Sequence, residues 1–369
     1  MPQAIAITEE NVRRALGSVD EPELRRPITE LDMVRGVVVA PGGVRVSIAL
    51  TVEDHPLKDK IHDQVLAAVR KLGAEQVYVD FTTMTDDQRA GLRRRLHGDR
   101  AGSVGDVFKS SRVIAVASGK GGVGKSSVST NLGVALARRG LRTAIIDADV
   151  YGFSIPRMIG IDRKPVIIDR MIVPPEAHGV AVISIGFFAT ENDPVIWRGP
   201  MLHKALTQFV TDVYWDEPDI VIIDMPPGTG DVSLTMSQFL PAAEVVVVTT
   251  PQPAAQRVAQ RAAYMARKVN LSVAGVIENM SWFTGRDGFR YEIFGSGGGE
   301  LLAQELGVPL LGEIPLVPAL REGGDVGNPI LVAEPDSEAA RAIDSIAGKL
   351  LEMSPRRIPL PVVNIASQD

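Results

Sequence analysis

Val113-Ile114-Ala115-Val116-Ala117-Ser118-Gly119-Lys120-Gly121-Gly122-Val123-Gly124-Lys125-Ser126-Ser127 is the stretch that decides how this chain folds. The five small or β-branched apolar residues from Val113 to Ala117 suit a strand buried on both faces, as in a parallel sheet. Gly119-x-x-x-x-Gly124-Lys125-Ser126 then has the spacing of a phosphate loop that opens onto a helix. Glycines at 119, 121, 122 and 124 let consecutive backbone N–H groups, that of Val123 among them, turn inward around a polyphosphate without Cβ clashes. The helix that follows adds the partial positive charge of its N-terminus. In such a loop Lys125 holds the β- and γ-phosphates, and the Ser126 hydroxyl ligates Mg²⁺.

Working outward, Val128, Leu132, Val134, Ala135 and Leu136 line that helix, which should end near Arg139-Gly140. A second buried strand, Thr143 to Ile146, runs into Asp147-Ala148-Asp149. Carboxylates there fall at the C-terminal edge of a parallel sheet, the crevice where ligands of doubly wound folds bind. We assign Asp149 to orient an attacking water and Asp147 to the outer shell of Mg²⁺, and the reverse assignment fits nearly as well. A third buried strand, Ile220 to Ile223, closes on Asp224, a Walker B pattern in which the carboxylate holds Mg²⁺ through water. Pro226-Pro227-Gly228-Thr229-Gly230-Asp231 is too rich in Pro and Gly for regular structure and suits a switch loop sensing the γ-phosphate.

Strands over 245–249, 273–277 and 310–314, with helices over 254–268 and 337–353, continue the alternation of a doubly wound, mostly parallel α/β sheet. Asn279, just past one of these strands, could offer an adenine ring a donor and an acceptor from its amide. Val166-Ile167-Ile168 and Met171-Ile172-Val173 read as a hairpin added to the nucleotide fold, with a further strand over 180–185. The tail, 355–369, carries Pro359 and Pro361 and reads as disordered or draped, without an amphipathic membrane helix.

Ahead of the loop, residues 1–97 read as a separate small α/β domain and 98–111 as a linker, leaving 112–354 for the nucleotide domain. Thr8 can cap a helix carrying Val12, Leu16 and Val19. Strands over 37–40 and 44–50, a helix over 57–72 and a strand over 77–81 give the order α-β-β-α-β. Arg93-Arg94-Arg95 is read as a solvated helix face or tether beside the linker.

Composition bounds the rest. The chain of 369 residues has a net charge of −6, which argues against broad adhesion to nucleic acid, and no apolar run or leader suggests a membrane span or export. A cytoplasmic protein is expected. The cysteine count is zero, so disulfides, thiolate nucleophiles and Cys-built zinc or iron–sulfur sites are impossible within these residues. The five histidines, His55, His62, His97, His178 and His203, show no metal-binding spacing.

Three sets of motifs also carry resemblances. Gly119-Lys120-Gly121-Gly122-Val123-Gly124-Lys125-Ser126-Ser127, with its additional Lys120, resembles the deviant phosphate loop of the MinD, ParA and nitrogenase-iron-protein superclass of ATPases. The resemblance implies a homodimer that sandwiches ATP, with Lys120 reaching the partner's nucleotide as an arginine finger does. Asp147 to Pro156, Trp197-Arg198-Gly199-Pro200-Met201, Asp224 to Asp231 and Glu278-Asn279-Met280-Ser281 resemble the Mrp/ApbC family. That implies an ATP-dependent carrier that passes iron–sulfur clusters to apoproteins. Val19-Asp20-Glu21-Pro22-Glu23, Glu30 to Val34 and Asp54-His55-Pro56-Leu57-Lys58-Asp59 resemble the MIP18-like domain that often precedes it.

The chain departs from both patterns. Where the Mrp family places Cys-x-x-Cys, Gly285 and Gly288 stand at the same spacing, and Asp287-Gly288 reads as a tight turn between short strands. An iron–sulfur cluster is implied by the family, but no cysteine ligand for it is present. An ATP-driven dimeric switch or scaffold that holds no cluster is the alternative. In the MIP18-like segment His55 replaces a frequent cysteine; a helix-start position near solvent is expected for it, ahead of weak metal binding.

Overall fold

The computed structural model describes residues 7–97, 107–149, 152–188, 199–228 and 239–353. The chain divides into two compact units, and each is built from its own core.

The first unit begins with α1 (Glu9–Leu16), capped by the Thr8 hydroxyl accepting the Asn11 N–H at 3.2 Å. Val12 and Leu16 are buried, whereas Val19 lies beyond the helix, after its C-cap at Gly17. A two-residue ribbon, β1 (Asp20–Glu21) against β2 (Arg26–Pro27), precedes β3 (Val34–Ala40), β4 (Gly43–Leu50), α2 (Lys58–Arg70) and β5 (Val77–Thr83). β3 pairs antiparallel with β4, and β5 runs parallel to β4, as expected when α2 supplies the crossover. The basic run at 93–95 lies on α3 (Asp86–His97), in keeping with the helix-face reading of the two offered for it, on a helix whose bounds the sequence reading does not give.

The second unit holds β6 (Arg112–Ser118), α4 (Lys125–Arg138), β7 (Thr143–Asp147) and α5 (Ile155–Ile159). Next in the chain come β8 (Val166–Ile168) and β9 (Met171–Val173), an antiparallel hairpin. Here one expectation is corrected. The hairpin is not an addition to the nucleotide fold: residues 163–175 and 212–214 belong to the first unit. Val166, Ile168, Met171, Val173 and Tyr214 are buried in one cluster with Leu16, Ile28, Val46 and Ile61. Burial of apolar area decides the membership, and local hairpin chemistry carries no information about which core it joins.

The second unit resumes with β10 (Glu176–Ala177), β11 (Val180–Ser184), α6 (Gly199–Thr211), β12 (Ile220–Asp224), β13 (Glu244–Thr249), α7 (Pro253–Lys268) and β14 (Ser272–Asn279). After β15 (Phe283–Thr284) and β16 (Arg290–Tyr291) come α8 (Gly298–Leu306), β17 (Leu310–Ile314), α9 (Pro318–Val326), α10 (Ile330–Ala333) and α11 (Glu338–Glu352). Its main sheet has the order β10-β11-β7-β12-β6-β13-β14-β17. Every pairing is parallel except the edge pair β10 and β11. β7, β12 and β13 are buried at every residue, which is why they read as unbroken apolar runs rather than alternating ones. α4 packs on β7 and β12 beside α11, and α7 packs on β13 beside α8, a doubly wound α/β arrangement.

Register then positions the chemistry. Asp224 is paired with Asp147 on one side and Val116 on the other, and Asp147 with Ser184. The C-terminal ends of β11, β7, β12 and β6 therefore come level beside the glycine-rich loop.

Candidate functional site

The loop between β6 and α4 is shaped by two glycines that no other residue would replace without strain. Gly124 has φ +80°, and a Cβ there would fall 2.2 Å from the Asn279 amide nitrogen. Gly119 lets the loop meet the backbone of α7: a Cβ would stand 2.1 Å from the Val258 carbonyl carbon. The loop encloses a cleft of about 250 Å³, lined by Lys120, Gly121, Gly122, Gly124, Lys125, Ser126 and Ser127, with Asp149, Pro227 and Met158 opposite.

Lys125 is buried, and its Nζ lies 2.6 Å from Asp224 Oδ2 and 3.6 Å from Asp149 Oδ2. Asp224 also accepts the Ser126 hydroxyl at Oδ2 and the Ser129 hydroxyl at Oδ1, both at 2.6 Å. A fully buried carboxylate is thus surrounded by three donors, one of them charged, which is what such a group requires. Asp147 differs. It accepts the Ser184 hydroxyl at 2.9 Å and the backbone N–H groups of Asp149 and Ile155 at 3.3 and 3.4 Å. Burial, and then the charge of Asp224, pushes its carboxyl up to about 7, against the pull of Ser184, Lys125 and the Asp149 N–H. Of the two carboxylates, Asp149 is the one on the cleft.

Lys120 Nζ reaches Gln252 Oε1 at 3.3 Å, at the N-cap of α7 in the same chain. Asn279 donates its amide N–H to the Val123 carbonyl at 2.9 Å, leaving Oδ1 buried without a hydrogen bond. One of the two amide hydrogens is thus engaged by the loop. Gly119, Val123, Asp147, Asp224 and Asn279 shape or brace the cleft without lining it. Ser129, Ser184 and Gln252 were missed by sequence reasoning; Ser129, one helical turn after Lys125, was within reach of the i, i+4 rule. Half of the switch-loop reading, residues 229–231, and the tail, 355–369, lie outside the described residues.

In place of Cys-x-x-Cys, the β15–β16 hairpin turns as expected. Gly288 has φ +78° and donates its N–H to the Gly285 carbonyl at 2.9 Å. Trp282 stacks under the Arg290 guanidinium, 4.2 Å from its ring centre, and Arg290 pairs with Glu338 at 2.6 Å.

His55 is corrected: it is buried, not near solvent, and its Nε2 lies 3.2 Å from Glu21 Oε1. Burial, with Glu21's charge adding, pushes the neighbouring Glu23 carboxyl up to about 7, against the lowering charges of Arg163 and His55.

Sheet order, loop and level carboxylates define a nucleotide-binding P-loop fold. The chain belongs to the NUBPL iron-transfer P-loop NTPase family, whose model matches residues 109–351. An iron–sulfur cluster assembly protein model matches residues 9–81. Among curated relatives, an iron–sulfur cluster carrier protein of Mycobacterium tuberculosis is 49% identical over 350 residues, 92% of each chain. One of the same name from Synechocystis is 42% identical over 352 residues, 93% of this chain and 97% of its own. A nucleotide-binding protein from Archaeoglobus fulgidus, solved in complex with ADP, superposes with TM-score 0.54 at 32% identity, over 69% of this chain and 95% of its own. The cell division ATPase MinD of Pyrococcus furiosus has the same fold, with TM-score 0.53 at 24% identity over 66% of this chain and 100% of its own. No helix among the described residues is long and apolar enough to cross a membrane.

Proposed function

We propose that the protein binds and hydrolyses ATP as a homodimer and uses that cycle to pass iron–sulfur clusters to apoproteins, in the cytoplasm where ATP is supplied. The observation that carries the reading is the convergence of Lys125, Ser126 and Asp149 on a glycine cradle, with Asp224 bracing Lys125 and Ser126 from behind. Backbone N–H groups of the loop take the phosphate oxygens, and Lys125 exchanges its carboxylate partners for the β- and γ-phosphates. Asp149, on the cleft, orients the attacking water. Lys120 leaves Gln252 to neutralise charge on the nucleotide of the partner protomer.

Ser126 and Asp224, hard oxygen donors 2.6 Å apart, fit Mg²⁺, with Asp147 behind them in register. That ion would neutralise charge on the β- and γ-phosphates.

The cluster is cargo, and its sulfur ligands must come from outside these residues, from a partner protein or a small thiol, because the chain has no cysteine. That same absence favours the second reading, a switch that holds no cluster. Anaerobic loading with iron, sulfide and a small thiol, followed by iron and sulfide analysis and transfer to an apoprotein, separates them. ATP-dependent transfer supports the carrier; ATP hydrolysis with no iron retained or delivered leaves the switch. Absence of ATP uptake by folded protein in calorimetry with Mg²⁺ overturns both.

A further inference from the structure

Glu21, Glu23 and His55 meet inside the first unit and have no part in the nucleotide cleft. One ligand-type atom from each lies within 4.8 Å of the other two. His55 Nε2 is 3.2 Å from Glu21 Oε1 and 3.9 Å from Glu23 Oε2, and all three side chains are only 1–2% exposed.

Two of the three groups are fixed by local hydrogen bonds. Glu21 Oε2 accepts the backbone N–H groups of Glu23 and Leu24, which ties down the turn after β1. His55 Nδ1 accepts the Leu57 N–H at 3.2 Å, which turns Nε2 toward the carboxylates. Glu23 has no such role: neither of its oxygens, nor Glu21 Oε1, accepts a hydrogen bond. Its nearest cation is Arg163, whose Nε stands 3.5 Å from Oε1. Buried carboxylate oxygens without hydrogen bonds are destabilising unless a cation compensates them, and Arg163 does so loosely and for one oxygen.

We infer that Glu21 Oε1, the Glu23 carboxylate and His55 Nε2 form a binding site for a divalent first-row transition ion of the zinc or ferrous class. One imidazole nitrogen with two carboxylates is a donor set of intermediate softness; Mg²⁺ and Ca²⁺ favour all-oxygen shells. Binding requires the Nε2 lone pair, so the ring proton moves to Nδ1 and the Leu57 N–H gives up its acceptor. Loading is thereby felt at Leu57, the N-cap of α2. Arg163 becomes the ion's rival rather than its support. The inference does not depend on the reading of the phosphate loop.

The test uses full-length, nucleotide-free protein in excess Mg²⁺, titrated with Co²⁺ by visible absorption and with Zn²⁺ by thermal melting. One equivalent of Co²⁺ should give ligand-field bands that Zn²⁺ abolishes, and Zn²⁺ should raise the melting temperature. Glu23→Gln and His55→Ala should weaken binding at least about tenfold, while Arg163→Met, which removes a competing charge, should tighten it about tenfold. Glu23→Gln keeps the shape of the side chain, so its melting in chelator reports folding separately from binding. Bands and melting shift that persist unchanged in Glu23→Gln and His55→Ala would overturn the site. So would an Arg163→Met protein that melts lower and binds no tighter, the behaviour of an internal ion-pair network alone.

Discussion

Asp147 and Asp224 lie opposite each other on neighbouring strands, both fully buried, yet replacing each with asparagine should move stability in opposite directions. Asp224 faces the Lys125 ammonium and two hydroxyls, all at 2.6 Å. In Asp224→Asn the ammonium keeps the Ser126 hydroxyl, at 3.3 Å, and a single carboxylate, Asp149, at 3.6 Å, and an amide N–H₂ faces donors. Removing one partner of a buried ion pair costs about 3–5 kcal/mol. Asp147 is the reverse case, because its carboxyl is raised from 3.8 to about 7. The folded state then binds the proton more tightly than the unfolded chain. Its contribution is nil below the unfolded value, falls as pH rises between the two values, and reaches a full penalty above about 7. At about 1.4 kcal/mol per pH unit, that penalty is about 4 kcal/mol. An asparagine escapes it while losing the 3.4 Å bond from Ile155, worth about 1 kcal/mol. Asp147→Asn should therefore gain about 3 kcal/mol over the parent at about pH 8 and lose that advantage at about pH 4. Urea unfolding of nucleotide- and magnesium-free protein at both pH values measures it. If Asp147→Asn proved as destabilised at the higher pH as Asp224→Asn, the charge would reside on Asp147 and the division of roles would fail.

Other substitutions probe the cradle. Lys125→Ala should abolish nucleotide binding in calorimetry, since its buried ammonium, held against Asp224, is the cation placed for the β- and γ-phosphates. Lys120→Ala should bind ATP normally and lose turnover by about 10³-fold; undiminished hydrolysis would sink the in-trans role. Gly119→Ala, forced against the backbone at Val258 and Ala259, should lose about 1–3 kcal/mol or more in unfolding experiments. Gly121→Ala, with nothing within 4 Å of a Cβ, should stay within about 0.5 kcal/mol of the parent.

What the sequence made legible were elements whose own residues dictate them. Buried parallel strands such as Ile220–Asp224 are unbroken β-branched runs, and the glycine spacing before Lys125 has one good structural use. The carboxylates at strand ends followed from these. Partners were not legible, because register supplies them: Ser184 meets Asp147 only through the pairing of β11 with β7. Gln252 meets Lys120 only where α7 begins. The helix Asp86–His97 was hidden by its own polarity, since Leu92 is its one fully buried large side chain. His55 and Glu21, 34 positions apart, were separated by a strand hairpin that folding brings round. The hairpin at 166–173 was recognised as a hairpin and assigned to the wrong core, because turn residues do not record which apolar surface they cover.

The route of the backbone has a consequence for dissection. Because 163–175 and 212–214 complete a body that starts at the N-terminus, the polypeptide is laced rather than beaded. A protease nick in the 98–106 stretch should yield two fragments that stay together on a sizing column until denaturant is added. Residues 1–97 made alone should be sticky and poorly folded, lacking the patch that Val166, Ile168, Met171, Val173 and Tyr214 provide. Grafting the lace, through a short spacer, onto that fragment should restore cooperative unfolding.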